Sequence, residues 1–170
     1  MILPIVKEPN PILHQKAIPV KGATPEIQRL ILDMIETMHA AEGVGLAANQ
    51  VASTLNILVA CPNGKKGREL VLINATLVKQ RGRLRCPEGC LSLPGVSSKP
   101  VRSTEVTVAG LDRAFKPISL EATGLLAQIL QHEIDHLQGH LYVYRLSFWK
   151  RWQLLRKYRS LADSLRRIEL

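Results

Sequence analysis

The sequence is 170 residues long, 46% hydrophobic and 22% charged, a length at which folding buries about 70% of the surface of the unfolded chain. That balance excludes a disordered or collagen-like chain, and no apolar run approaches the roughly 18 residues that a membrane span needs. Lysine and arginine number 23 against 14 acidic residues, a formal charge of +9 that favours an anionic partner without identifying one.

The start, Met1-Ile2-Leu3-Pro4, has no basic segment before its apolar residues and is broken by Pro4, so it reads as neither a secretory signal nor a transit peptide. The expected location is cytoplasmic. Three cysteines, Cys61, Cys86 and Cys90, fit a reducing compartment better than a disulfide framework.

Thr24-Pro25-Glu26 reads as a capped helix start, with Ile27, Leu30, Ile31, Met34, Ile35 and Met38 at helical spacing and a stop near Gly43. The stretch from Gly43 to Gln50 follows it as a helix cap and tight turn. Short β-rich runs at Ile57–Ala60, Leu70–Ile73, Val106–Val108 and Ile118–Leu120, separated by clusters such as Pro62-Asn63-Gly64, read as antiparallel strands. A second helix is expected from about Gly124 to Leu137. On its wheel Leu125, Ile129, His132 and His136 share one stripe, Leu126, Leu130, Ile134 and Leu137 form another, and Gln128, Gln131, Asp135 and Gln138 leave a narrow polar edge. A last helix is expected from near Ser147, with Leu154, Tyr158, Leu161, Leu165 and Ile168 as its apolar stripe. Its seven cations Lys150, Arg151, Arg156, Lys157, Arg159, Arg166 and Arg167, against Asp163 and Glu169, leave +5. The division expected is 1–147 as a metallohydrolase domain and 148–170 as a basic amphipathic helix.

The sharpest chemical signal is His132-Glu133-Ile134-Asp135-His136. Two imidazoles four apart on a helix project side by side and hold one divalent metal, and the glutamate next to the first reaches a metal-bound water as general base. A third ligand is required, and Cys90 in Pro87-Glu88-Gly89-Cys90-Leu91-Ser92 is the best candidate; adding Cys86 would instead make a closed structural site. Cys61, at a strand end, reads as packing. In Gly43-Val44-Gly45-Leu46-Ala47-Ala48-Asn49-Gln50, small residues allow a substrate backbone to approach, and Gln50 offers an amide donor for an oxyanion. Asp135 suggests an ion-pair partner for Arg102, while His14, His39 and His140 have no ligand spacing.

Taken in order, Gly43 to Gln50, Glu88 to Ser92 and His132 to His136 resemble the GxGxAAxQ, EGCxS and HExDH segments of the peptide deformylase family, and the similarity runs from Ile5 to Ser147. The resemblance implies a small single α+β domain of mixed and antiparallel strands around a central metal-binding helix, with a C-terminal helix. It implies removal of the formyl group from the N-terminal formyl-methionine of nascent polypeptides. Cys90, His132 and His136 would hold one divalent metal, Fe(II) physiologically, with Zn(II), Ni(II) or Co(II) as alternatives. A metal-bound water would attack the formyl carbon, and Glu133 would take its proton and pass it to the leaving amine. Gln50 and the Leu91 N–H would stabilise the oxyanion; Val44, Leu125 and Ile129 would line the methionine pocket, and Gly45 would pair with the peptide. Partners would be nascent formyl-methionyl chains and the ribosome, through the last helix, with no stable membrane insertion. Two departures from the family pattern bear on substrate preference: Tyr144 stands where an acidic residue is common, and Gly95 to Lys99, including Ser97, lacks an arginine.

Two other readings compete. An HExxH peptidase acting on internal bonds would more often take its third ligand downstream of the helix, whereas Cys90 lies upstream. An RNA-binding module with a structural metal has only the basic tail in its favour.

Overall fold

The computed structural model describes residues 1–168, and side chains up to residue 164. The expected roles of Leu165, Arg166, Arg167, Ile168 and Glu169 therefore lie outside the described side chains. Helix α1 (Pro25–Ala40) starts where expected, with the Thr24 hydroxyl accepting from the Ile27 N–H at 3.4 Å and Pro25 in the first turn. It stops at Ala40, three residues before Gly43. The left-handed residue is Glu42, at φ 53°, and Gly43 closes the end by donating its N–H to the Met38 carbonyl at 2.9 Å.

The chain then enters β1 (Gly45–Ala47), where the sequence suggests only a turn, and continues through a 3₁₀ turn at Ala48–Val51 to β2 (Ile57–Ala60). Strand β3 runs over Leu70–Arg81, eight residues beyond the expected Leu70–Ile73. The extension is hidden in the sequence because Asn74, at φ 55°, and register shifts on either side of Thr76 and Leu77 interrupt the alternation, and Lys79-Gln80-Arg81 are exposed. Two-residue strands follow at β4 (Leu84–Arg85), β5 (Glu88–Gly89), β6 (Ser97–Ser98) and β7 (Val101–Arg102), pairing as β4 with β7 and β5 with β6. Strands β8 (Glu105–Leu111) and β9 (Pro117–Thr123) then lead into α2 (Gly124–Leu137).

The main sheet has the order β1-β2-β3-β8-β9, antiparallel throughout. The only parallel pairing among the described residues is an isolated bridge between Ile18 and Leu55. Alternation sends the two faces of this sheet to different helices. Leu58 and Leu72 pack with Ala127, Leu130, Ile134 and Leu137 of α2, whereas Ile57, Val59, Val71 and Ile73 pack with Ile31, Met34 and Met38 of α1. The sheet is thus the middle layer of an α+β domain. A third cluster, around Leu13, Leu93, Val96, Tyr142 and Val143, receives α3 (Phe148–Ile168) through Leu154, Leu155 and Tyr158. No described helix is long and apolar enough to cross a membrane.

Candidate metal centre

Helix α2 sets His132 and His136 one turn apart, with ring centroids 5.0 Å from each other. The loop after β5 brings Cys90 Sγ to 3.1 Å from His136 Nε2, and one ligand atom from each of the three residues lies within 4.8 Å of the other two. A thiolate and two imidazoles form a donor set suited to a divalent transition metal, with a position left open beyond the three. Cys86 stands apart from this group, its Sγ against the Leu84 carbonyl at 3.9 Å.

A buried set of charges orients the ligands. His132 Nδ1 bonds Glu88 Oε2 at 2.9 Å, which leaves its other nitrogen for a metal. Arg102, fully buried, donates to both Glu88 oxygens at 2.6 and 2.8 Å and to Asp135 Oδ2 at 2.5 Å, and Arg145 donates to both Asp135 oxygens. Burial alone would raise the Glu88 pKa, but the bonds from Arg102 and His132 outweigh it and hold it at about 2. Burial likewise opposes a charge on either imidazole. In His132 the bonds to Cys90 and Glu88 reverse the balance and raise the pKa, while His136, which lacks such a carboxylate, is pushed well down.

Glu133, the residue beside His132, is 4% exposed, and its Oε2 has no hydrogen-bond partner among the described residues. Burial raises its pKa to about 7, which sets it to exchange a proton near neutrality. Its carboxylate points toward β1 at Gly45, where a Cβ would collide with the carboxylate and come within 2.8 Å of Ile129 Cγ2. Only glycine permits that approach.

A cleft of about 400 Å³ opens beside this cluster, lined by Val44, Gly45, Leu125, Ile129, His132 and Glu133, with Gln50, Cys90 and Leu91 at its inner end. Ile129 is a buried wall, whereas Val44 and Leu125 are exposed and form the rim. Strand β1 is the sheet's edge, paired only with β2, so its other side is open to a further strand. Gln50 is fixed at one end, its Oε1 accepting from the Ala47 N–H at 2.9 Å, and this turns Nε2 toward Ser92 Oγ at 3.2 Å and Cys90 Sγ at 3.6 Å.

All ten residues singled out as ligand, proton-transfer, oxyanion or pocket groups therefore border one cleft or belong to the adjoining group of three that could hold a metal. Tyr144 and Ser97 do not line it. The Tyr144 hydroxyl contacts His14 Nδ1 at 3.3 Å, and Ser97 is exposed on β6. Sequence reasoning missed Glu88 as the orienting group for His132 and Arg145 as the second partner of Asp135. No periodicity marks either role: Glu88 meets His132 across 44 residues, and Arg145 meets Asp135 from the turn after α2.

The polypeptide deformylase family profile matches residues 2–152. A peptide deformylase of Symbiobacterium thermophilum is 48% identical over 83% of this chain, which spans 65% of that relative. Another, from Thermodesulfovibrio yellowstonii, is 43% identical over 94% of this chain and 98% of its own length. Among solved structures, a peptide deformylase from Legionella pneumophila superposes with a TM-score of 0.92 at 41% identity, covering 99% of this chain and 98% of that one. One from Synechococcus elongatus in complex with actinonin gives 0.87 at 36% identity, covering 91% and 86%.

Proposed function

The chain belongs to the polypeptide deformylase family, and from that premise we propose that it hydrolyses the formyl group from the N-terminal formyl-methionine of nascent polypeptides, releasing formate. The observation that carries the reading is the placement of Glu133: a buried carboxylate with a free oxygen and a pKa near neutrality, on the same helix as two imidazoles that meet Cys90, at the wall of an apolar cleft.

Cys90, His132 and His136 would hold one divalent metal, with Fe(II) as the proposed physiological ion and Zn(II), Ni(II) or Co(II) as substitutes in the same donors. When bound, it supplies Lewis-acid polarisation and an activated water. The protein's own groups do the rest. Glu133 accepts the proton of the attacking water and returns it to the leaving amine, two transfers that a carboxyl with a pKa near 7 performs at little cost. Gln50 Nε2, whose amide is held by the Ala47 N–H, and the Leu91 N–H would donate to the oxyanion. The methionine side chain enters between Val44, Leu125 and Ile129, while the peptide adds as a strand along β1 at Gly45. Residues 1–147 are proposed as the catalytic domain and 148–170 as a basic helix that engages the ribosome, in the cytoplasm. Binding of actinonin, as in the Synechococcus relative, is expected at the same cleft.

Formate release from a formyl-Met tripeptide, measured beside cleavage of an internally labelled peptide, tests the reading. Formate without internal cleavage is expected; internal cleavage without formate would replace it with a peptidase, and neither product from metal-loaded protein would remove the enzyme reading.

A further inference from the structure

A second group of metal-ligating side chains lies away from the Cys90 centre, where the C-terminal turn of α1 meets the end of β2 and the loop after it. One ligand atom each from His39, Cys61 and Glu69 lies within 4.8 Å of the other two. Cys61 is fully buried, and the His39 and Glu69 side chains keep only 12% and 11% of their exposure. His39 Nε2 is 2.6 Å from Glu69 Oε1. Cys61 Sγ has two more oxygens at 3.4 Å, Asn63 Oδ1 and the Lys65 carbonyl.

The proton inventory around the sulfur is short. A thiol carries one proton yet faces two oxygens, whereas the Glu69 carboxylate meets His39 Nε2 and accepts the Gly67 N–H at 3.0 Å on both oxygens. Both oxygens facing the thiol already accept backbone N–H groups, Asn63 Oδ1 from Lys65 and the Lys65 carbonyl from Arg68, so they hold lone pairs and bring no proton of their own to the sulfur. Lone pairs converging with too few protons are what a cation satisfies. Ligand atoms about 2.0–2.3 Å from a tetrahedral zinc lie roughly 3.3–3.8 Å from one another. The 3.4 Å from Sγ to Asn63 Oδ1 already falls in that range, Sγ lies within 4.8 Å of the His39 and Glu69 ligand atoms, and the His39 to Glu69 contact needs to widen by about 1 Å, within reach of a carboxylate rotation.

We propose that His39, Cys61 and Glu69 form a second, structural site for a borderline divalent cation of the zinc type, with Asn63 Oδ1 placed to complete it. A thiolate with an imidazole selects zinc-like ions over Mg²⁺ or Ca²⁺, and binding releases the Cys61 proton to solvent. The site ties the Pro62–Glu69 loop to α1. It also braces the cleft, because the Cys61 N–H donates to the Val44 carbonyl at 2.8 Å and Val44 forms part of the rim.

The test is metal stoichiometry of the full-length holoenzyme after equilibration with excess Zn²⁺ and removal of unbound ion. Total bound metal of about two per chain is expected, falling to about one in Cys61→Ser and in Glu69→Gln, both still active on formyl-Met tripeptide. A companion measurement uses Co²⁺ with Cys86→Ser/Cys90→Ser protein, in which Cys61 is the only remaining thiol; a near-ultraviolet thiolate-to-cobalt band is expected, and adding Cys61→Ser removes it. One metal per chain in the unsubstituted holoenzyme, a ratio untouched by both single substitutions, or no thiolate band in the Cys61-only protein would each overturn the proposal.

Discussion

Helices α2 and α3 put charge in opposite surroundings. On α2, Glu133 and Asp135 are buried, and Asp135 with the neighbouring Glu88 is bonded by Arg102 and Arg145. On α3, Lys150, Arg156, Lys157 and Arg159 are exposed, and its described contacts for cations are with rings, Arg151 over Tyr144 and Phe148 and Arg156 over Trp152. The difference decides what each helix can do. Desolvation on α2 moves the Glu133 pKa to about 7 and leaves ligands aimed at one point, whereas water and salt screen the charges of α3, which add little to folding and stay available to a partner.

Four substitutions or conditions sharpen that contrast, in falling order of effect. Arg102→Met removes the cation that serves both Glu88 and Asp135 and should destabilise the protein by about 3–5 kcal/mol, because it leaves buried carboxylates undercompensated; urea unfolding measures it. Acid should act on the same group in metal-free protein. Glu88 titrates at about 2 when folded against 4.5 when free, so its stabilisation, on the order of 3 kcal/mol, is present above pH 4.5 and is lost as pH falls toward 2. Glu133 has the reverse sign: its raised pKa favours the folded state below pH 4.5, an advantage lost as pH rises through 7. Unfolding curves of Glu88→Gln and Glu133→Gln across pH 3 to 8, compared with the unsubstituted chain, should separate the two slopes. Tyr158→Phe removes a hydroxyl that donates to the Glu8 carbonyl at 2.9 Å and should cost about 0.5–1.5 kcal/mol. Arg159→Ala, on the exposed side of α3, should change stability by less than about 0.5 kcal/mol.

What the sequence made legible follows the range of the interactions. His132 and His136 are four residues apart on a helix whose apolar stripe is continuous, so their juxtaposition is local. Cys90 joined them by donor chemistry and by the resemblance of three ordered segments. The role of Glu88 depends on a contact with His132 across 44 residues, and that of Arg145 on the turn after α2, so neither periodicity nor spacing points to them. Strand β1 was read as a turn because Gly45-Leu46-Ala47 is too short and too rich in small residues to carry an alternation, and its strand character comes from pairing with Ile57–Ala60. Tyr158 was read as part of an apolar stripe and is buried there, while Leu161 on the same stripe remains 38% exposed, since the third core cluster ends before reaching it.

The central claim is that Glu133 carries the proton at a centre held by its two histidine neighbours on α2 and by Cys90. Glu133→Gln keeps the size and burial of the side chain but cannot take a proton. Metal content and formate release from a formyl-Met tripeptide, measured on the same sample, should show metal retained and turnover reduced by about 10²-fold to 10⁴-fold. Metal-loaded Glu133→Gln protein that turns over at the unsubstituted rate would contradict the account.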